Sequence, residues 1–206
     1  MDVSEIRVTT AGPDGTRRVA AAIADHLRPG DVVALSGELG AGKTCFVQGA
    51  AAALGITAPV TSPTFVLLHT YPGPVPVVHG DVYRLGTLRD VLDLGEEVFA
   101  PDVVTFVEWG DAITALLPDD RLEVVLTHAD EPADDPAADG SAAPAALDPE
   151  AALAAPRELA IRGHGRHAEV PAALRAAVAD GALRGDGIAV TDGGAGGADG
   201  DRGASC

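Results

Sequence analysis

Eight consecutive residues, Gly37-Glu38-Leu39-Gly40-Ala41-Gly42-Lys43-Thr44, satisfy the pattern G-x-x-x-x-G-K-[ST] at every fixed position. The glycines let the backbone curl until successive N–H groups point at one centre, which suits an anion with several oxygens. A helix opening near Lys43 adds its unbonded N–H groups and the positive end of its dipole. Lys43 can then reach β- and γ-phosphate oxygens, and the Thr44 hydroxyl can ligate Mg²⁺. Lys43 is also the only lysine in the chain. The bland alternative, a chance glycine-rich turn, arises on the order of once in a thousand in such a composition. Gly37 to Cys45 is therefore the candidate nucleotide-binding stretch. Its last residue, Cys45, reads as a small buried side chain rather than a redox switch.

A phosphate site of this kind needs a second acid to hold the metal. Val103-Val104-Thr105-Phe106-Val107-Glu108 is a mostly apolar run ending in a carboxylate, so Glu108 is the candidate partner of Thr44 at Mg²⁺. By itself the run is equally an ordinary strand with a terminal glutamate. Asp81, in His79-Gly80-Asp81-Val82-Tyr83-Arg84, follows a strand and can orient an attacking water, or can simply cap a turn. Thr61-Ser62-Pro63-Thr64-Phe65 sets hydroxyls around a rigid proline, which suits a loop sensing the γ-phosphate and equally a plain turn. His69, His79, His128, His164 and His167 are scattered without ligand spacing, so no transition metal is expected.

The elements that must position these groups follow from periodicity. Strands are expected at Glu5–Thr10, Asp31–Ser36, Phe65–Tyr71, Val75–His79, Val103–Trp109 and Arg121–His128, with Arg157–Arg162 as one more strand at the domain edge. Helices are expected at Thr16–Leu27, at Lys43–Leu54 closed by Gly55, and at Pro171–Asp180. Strands alternating with helices imply an α/β fold, P-loop NTPase-like, with a mixed, mostly parallel sheet flanked by helices. Residues 1–128 with 157–166 read as the folded domain. Residues 129–156, with seven acids and no base, read as a disordered acidic Ala/Pro-rich insertion. Residues 167–206 read as a short helix and a flexible Gly-rich tail, Gly181–Cys206.

Composition narrows the function classes. The 206 residues carry a formal net charge of −17, and setting insertion and tail aside still leaves 20 acids against 12 bases. Such a balance repels phosphate backbones, so direct high-affinity nucleic-acid binding by this chain alone is not expected. Cys45 and Cys206 make neither a disulfide framework nor a zinc site, in keeping with a reducing cytoplasm. The first ten residues lack the apolar core of a signal peptide. Thr44–Gly80 is free of charged residues, but five prolines interrupt any membrane span.

Taken in order, LSGELGAGKT (Leu35–Thr44), VTSPTF (Val60–Phe65), HGDVYRL (His79–Leu85) and FVEWG (Phe106–Gly110) resemble the bacterial TsaE family. RELAIRGHG (Arg157–Gly165) is similar to a degenerate form of that family's last strand. The resemblance implies an ATPase required for threonylcarbamoyladenosine synthesis on tRNA, acting with TsaD and TsaB. TsaD transfers the threonylcarbamoyl group and the ATPase resets that machinery. Carried over by motif, Lys43 contacts phosphate, Thr44 and Glu108 hold Mg²⁺, and Asp81 serves hydrolysis. Trp109 lies beside the nucleotide, and Thr64 and Phe65 sit on a nucleotide-responsive loop. The insertion and tail exceed the family pattern. Two other readings stay open: a small-metabolite or nucleoside kinase with Arg84 and Arg89 in a lid, and a nucleotide-gated interaction protein with vestigial hydrolysis. A GTPase is disfavoured, because the Asn-Lys-x-Asp base-recognition motif needs a second lysine.

Overall fold

The structure, a computed structural model, describes residues 3–63, 67–83, 99–129 and 155–191. Thr64, Phe65, Arg84, Arg89, residues 130–154 of the expected insertion, and the chain beyond Thr191 with Cys206 lie outside the described residues. In chain order the elements are β1 (Val3–Thr10), α1 (Pro13–Ala24), β2 (Val32–Ser36), α2 (Lys43–Ala53), β3 (Leu68–Tyr71), β4 (Val77–Asp81), β5 (Val104–Glu108), β6 (Arg121–His128), β7 (Arg157–His164), α3 (Val170–Ala179) and β8 (Ala189–Thr191). Short 3₁₀ segments occupy Gly110–Leu116 and Gly165–His167.

All eight described strands join one sheet in the order β3-β4-β5-β2-β6-β7-β1-β8. The four central strands β4, β5, β2 and β6 run parallel. β3 on one flank and β7, β1 and β8 on the other are antiparallel to their neighbours. Buried residues at every position of β4 and β5, and at four of five in β2, fit strands covered on both faces.

Alternation along the strands sorts the two faces. Val33, Leu35, Val104, Phe106, Leu122, Val124, Leu159, Ile161, Ile6 and Val8 join Val19 and Ile23 of α1, Phe46 and Val47 of α2, and Leu174 of α3 in the main core. On the other face Val107 packs with Val82 and Ile113 under the 3₁₀ segment. Each fully buried Phe or Leu contributes about 2 kcal/mol by area removed from water. On the antiparallel flank, ion pairs from Arg162 to Glu5, Arg7 to Glu158 and Arg121 to Glu123 line a half-exposed face.

α1 starts at Pro13, whose missing N–H is harmless in a first turn. It packs against α2 so closely that a Cβ on Gly49 would come within 2.3 Å of the Arg17 carbonyl oxygen. At the start of β2, Asp31 is buried, which pushes its carboxyl up. The His167 ring at 3.3 Å, the Arg28 N–H at 2.7 Å and the Arg166 guanidinium outweigh that and hold it below the ordinary carboxylate range. No helix among the described residues is long and apolar enough to cross a membrane.

Three expectations change. β4 runs two residues further than Val75–His79 suggested, so Asp81 is the end of the strand and not the residue after it. β7 is not an edge strand: it lies between β6 and β1, where Leu159 and Ile161 fill the core. Part of the expected tail is ordered, because Ala189–Thr191 adds to the open edge of β1. The turn before it is pinned by Ala11 N–H to the Asp186 carbonyl at 2.8 Å and by the Arg18–Asp186 ion pair.

Candidate functional site

Three parallel strands end at one edge of the sheet, and each delivers a polar residue there: Ser36 on β2, Asp81 on β4 and Glu108 on β5. Asp81 and Glu108 stand opposite each other in the ladder. Glu108 follows Val104 and Phe106 in phase, so it emerges on the face covered by α2. The crevice at the carboxyl ends of parallel strands is where α/β sheets bind ligands.

Between β2 and α2 the chain makes its tight turn. Gly37 sits at φ +133° with its would-be Cβ 2.1 Å from the Leu126 carbonyl oxygen, so only glycine fits. Gly42, at φ +105°, is the left-handed residue before the first turn of α2 and carries no side-chain cap. The unbonded N–H groups of that helix start are thus left for a ligand. Leu39 at the loop's tip is 91% exposed, whereas Ala41 is fully buried.

Lys43 folds back along the loop. Its Nζ donates to the carbonyl oxygens of Gly37 at 2.6 Å and Glu38 at 2.8 Å, and it stands 3.9 Å from the centre of the Trp109 ring. Burial pushes the ammonium down from the ordinary lysine range, while the carboxylates of Glu108, Asp81, Asp111 and Glu38 draw it back up. Trp109 is held at φ +63°, an uncommon conformation for a bulky residue, and its ring meets Tyr83 at 4.7 Å.

The Thr44 hydroxyl donates to Glu108 Oε1 at 2.7 Å, and the buried His79 Nε2 approaches the same oxygen at 2.9 Å. The other ring nitrogen, His79 Nδ1, is buried without a hydrogen-bond partner among the described residues. Asp81 Oδ1 accepts the Tyr83 N–H at 2.9 Å. Thr44, Glu108 and Asp81 thus gather oxygen donors of the kind a hard divalent cation takes. They line a cavity of about 700 Å³ together with Lys43, Gly40, Gly42, Cys45, Trp109 and Arg157. That volume suits a small organic ligand. The uncapped helix start, the Lys43 ammonium and the carboxylates of Glu108 and Asp81 are the kinds of group that a polyphosphate and a divalent cation take.

The structure therefore gathers most of the sequence-predicted residues. Leu39, Gly40, Gly42, Lys43, Thr44, Cys45, Asp81, Glu108 and Trp109 all border the cavity, while Gly37, Glu38 and Ala41 shape the loop behind it. Thr64 lies outside the described residues. Cys45 is half-buried, its Sγ 3.3 Å from the Pro13 carbonyl, and burial pushes the thiol up. Sequence reasoning missed His79 and Arg157, as well as Arg17 and Gln48 on the cavity wall. For His79 a signal was available: it is two residues before Asp81 and so shares its face of the strand.

Known proteins agree with this architecture. Residues 10–135 match the model of the family described as threonylcarbamoyl adenosine biosynthesis protein TsaE. The Bacillus subtilis tRNA threonylcarbamoyladenosine biosynthesis protein TsaE is 41% identical over 128 residues, 62% of this chain and 80% of that protein. Its Streptomyces coelicolor counterpart is 45% identical over 118 residues, 55% of this chain and 79% of the relative. A crystal structure of Bacillus subtilis YdiB superposes with a TM-score of 0.61 at 33% identity, covering 84% of this chain and 96% of that one. With the family model spanning more than half of its length, this chain belongs to the TsaE family of threonylcarbamoyl adenosine biosynthesis proteins.

Proposed function

We propose that this chain binds and hydrolyses ATP with Mg²⁺ as the subunit that threonylcarbamoyladenosine modification of tRNA requires, acting in the cytoplasm on a complex of TsaD and TsaB. The observation that carries this reading is the convergence of Lys43, Thr44, Asp81 and Glu108 on one cavity at the carboxyl edge of the parallel strands. The names of its relatives supply the pathway. Residues 1–128 and 157–166 form the ATPase domain, on which α3 and β8 pack. Residues 129–156 are an acidic Ala/Pro-rich insertion.

The roles follow from chemistry. Loop amides from Gly40 to Thr44 and the Lys43 ammonium bind the β- and γ-phosphates. Lys43 exchanges two neutral carbonyls for charged oxygens, a stronger class of hydrogen bond. Thr44 and Glu108 would hold Mg²⁺, which when bound neutralises charge on the phosphates. Asp81 orients the attacking water and accepts its proton as the bond to the terminal phosphate breaks, releasing ADP and inorganic phosphate. Cys45 and Trp109 wall the site, and Thr64, outside the described residues, senses the terminal phosphate.

The test is hydrolysis of ATP with Mg²⁺ by the purified chain, alone and with TsaD and TsaB, beside Lys43→Ala. Expected is slow turnover alone, stimulation by the partners, and a loss of about a hundredfold or more in the variant. Partner addition without effect, with the terminal phosphate recovered on a small metabolite, would establish a kinase instead. ATP-dependent partner binding that survives Asp81→Ala without turnover would mark a nucleotide-gated interaction protein.

A further inference from the structure

One wall of the cavity comes from neither the loop nor the strands beside it. We propose that Arg157, the first residue of β7, is a positioning residue for the phosphate-binding loop, an inference that rests on the nucleotide reading above. Its backbone is fixed by ladders on both sides, opposite Thr10 of β1 and His128 of β6. From there the side chain runs inward, 1% exposed and among the largest fully buried side chains. A guanidinium is costly to bury unless its donors are used. Nε donates to the Ala41 carbonyl at 3.1 Å and Nη1 to the Ala155 carbonyl at 2.8 Å.

The Ala41 carbonyl is the critical partner. It lies in the turn immediately before Gly42 and Lys43, where the loop must present N–H groups and no carbonyl oxygen to an anion. A bond to Arg157 holds that oxygen on the protein side. Gly42 completes the fit: a Cβ there would stand 2.9 Å from Arg157 Nε and 3.3 Å from its Cδ. The glycine before Lys43 is thus required twice, for its backbone angle and for the room Arg157 occupies. The strand that follows the acidic segment thereby sets the shape of a loop more than a hundred residues earlier in the chain.

Arg157→Lys and Arg157→Met separate placement from charge and from bulk. Lysine keeps the charge but has no N–H at the Nε position, and methionine keeps only an apolar stem. ADP binding to the full chain is followed by the fluorescence of Trp109, the sole tryptophan. We expect about tenfold weaker binding for the lysine variant and about a hundredfold for the methionine variant. Thermal unfolding of the nucleotide-free lysine variant should stay within a few degrees of the parent. Parental ADP affinity in the lysine variant overturns the proposal, since charge alone would then suffice. Parental affinity in both overturns it equally, and if neither variant folds Arg157 is a core residue and the proposal falls. A parent chain that binds no ADP removes the nucleotide reading itself, and this inference with it.

Discussion

Two donors converge on a single oxygen of Glu108: the Thr44 hydroxyl at 2.7 Å and His79 Nε2 at 2.9 Å. In the proposed site, a cation held by Thr44 and Glu108 would replace the contact between them, and the His79 bond would keep the carboxylate aimed. Partners of this kind, once removed, typically weaken a metal site ten- to a hundredfold. His79→Ala should therefore raise the Mg²⁺ concentration needed for half-maximal nucleotide binding by about tenfold, with nucleotide affinity in chelator unchanged. Trp109 fluorescence titrated with Mg²⁺ at fixed ADP reads this directly, and an equal loss with and without the cation would make His79 a packing residue only. Glu108 was legible in the sequence, because an apolar run ending in an acid is a pattern that chemistry explains. The signal for His79, its shared strand face with Asp81, was overlooked: a lone histidine in an apolar strand reads as core, and ending that strand at His79 left Asp81 outside the element.

At the level of elements, the strongly periodic segments were legible to within a few residues, and the glycine-rich turn located the loop because its φ angles demand glycine. What composition concealed were pieces whose order depends on distant partners. β8 is three residues long and exists because the edge of β1 is open, while the interior place of β7 depends on pairing across the acidic segment. That pairing makes a prediction. β6 and β7 are in register up to His128 and Arg157, and the Ala129 N–H donates to the Pro156 carbonyl at 3.0 Å, so the two ends of the segment already meet as a hairpin. Replacing residues 130–154 by Asn-Gly leaves a three-residue connection of a type hairpins accept. The shorter loop lowers closure entropy by about 1–2 kcal/mol. The variant should unfold at equal or higher denaturant concentration and bind ADP like the parent. Unchanged stimulation by TsaD and TsaB would show the segment to be dispensable for partner docking. Loss of folding, by contrast, would mean that the segment contributes contacts of its own.

For the whole molecule the deciding quantity is charge and where it is spent. The chain carries −17 overall, and most arginines among the described residues are spent on ion pairs or burial. Arg7, Arg17, Arg18, Arg121, Arg162 and Arg166 each stand against a carboxylate, and Arg157 is buried at the loop. Under the proposed function, contact with the phosphate backbone falls to the partners, because binding tRNA by itself would require several unpaired cations to displace counterions. Purified chain titrated into labelled tRNA at about 0.1 M salt should accordingly show no saturable binding at micromolar concentrations, with or without ATP. Lowering the salt should not rescue it, since screening here hides repulsion rather than attraction. Saturable binding that strengthens steeply as salt is reduced would reveal a cationic surface that the paired arginines do not form, and with it a direct role at the RNA.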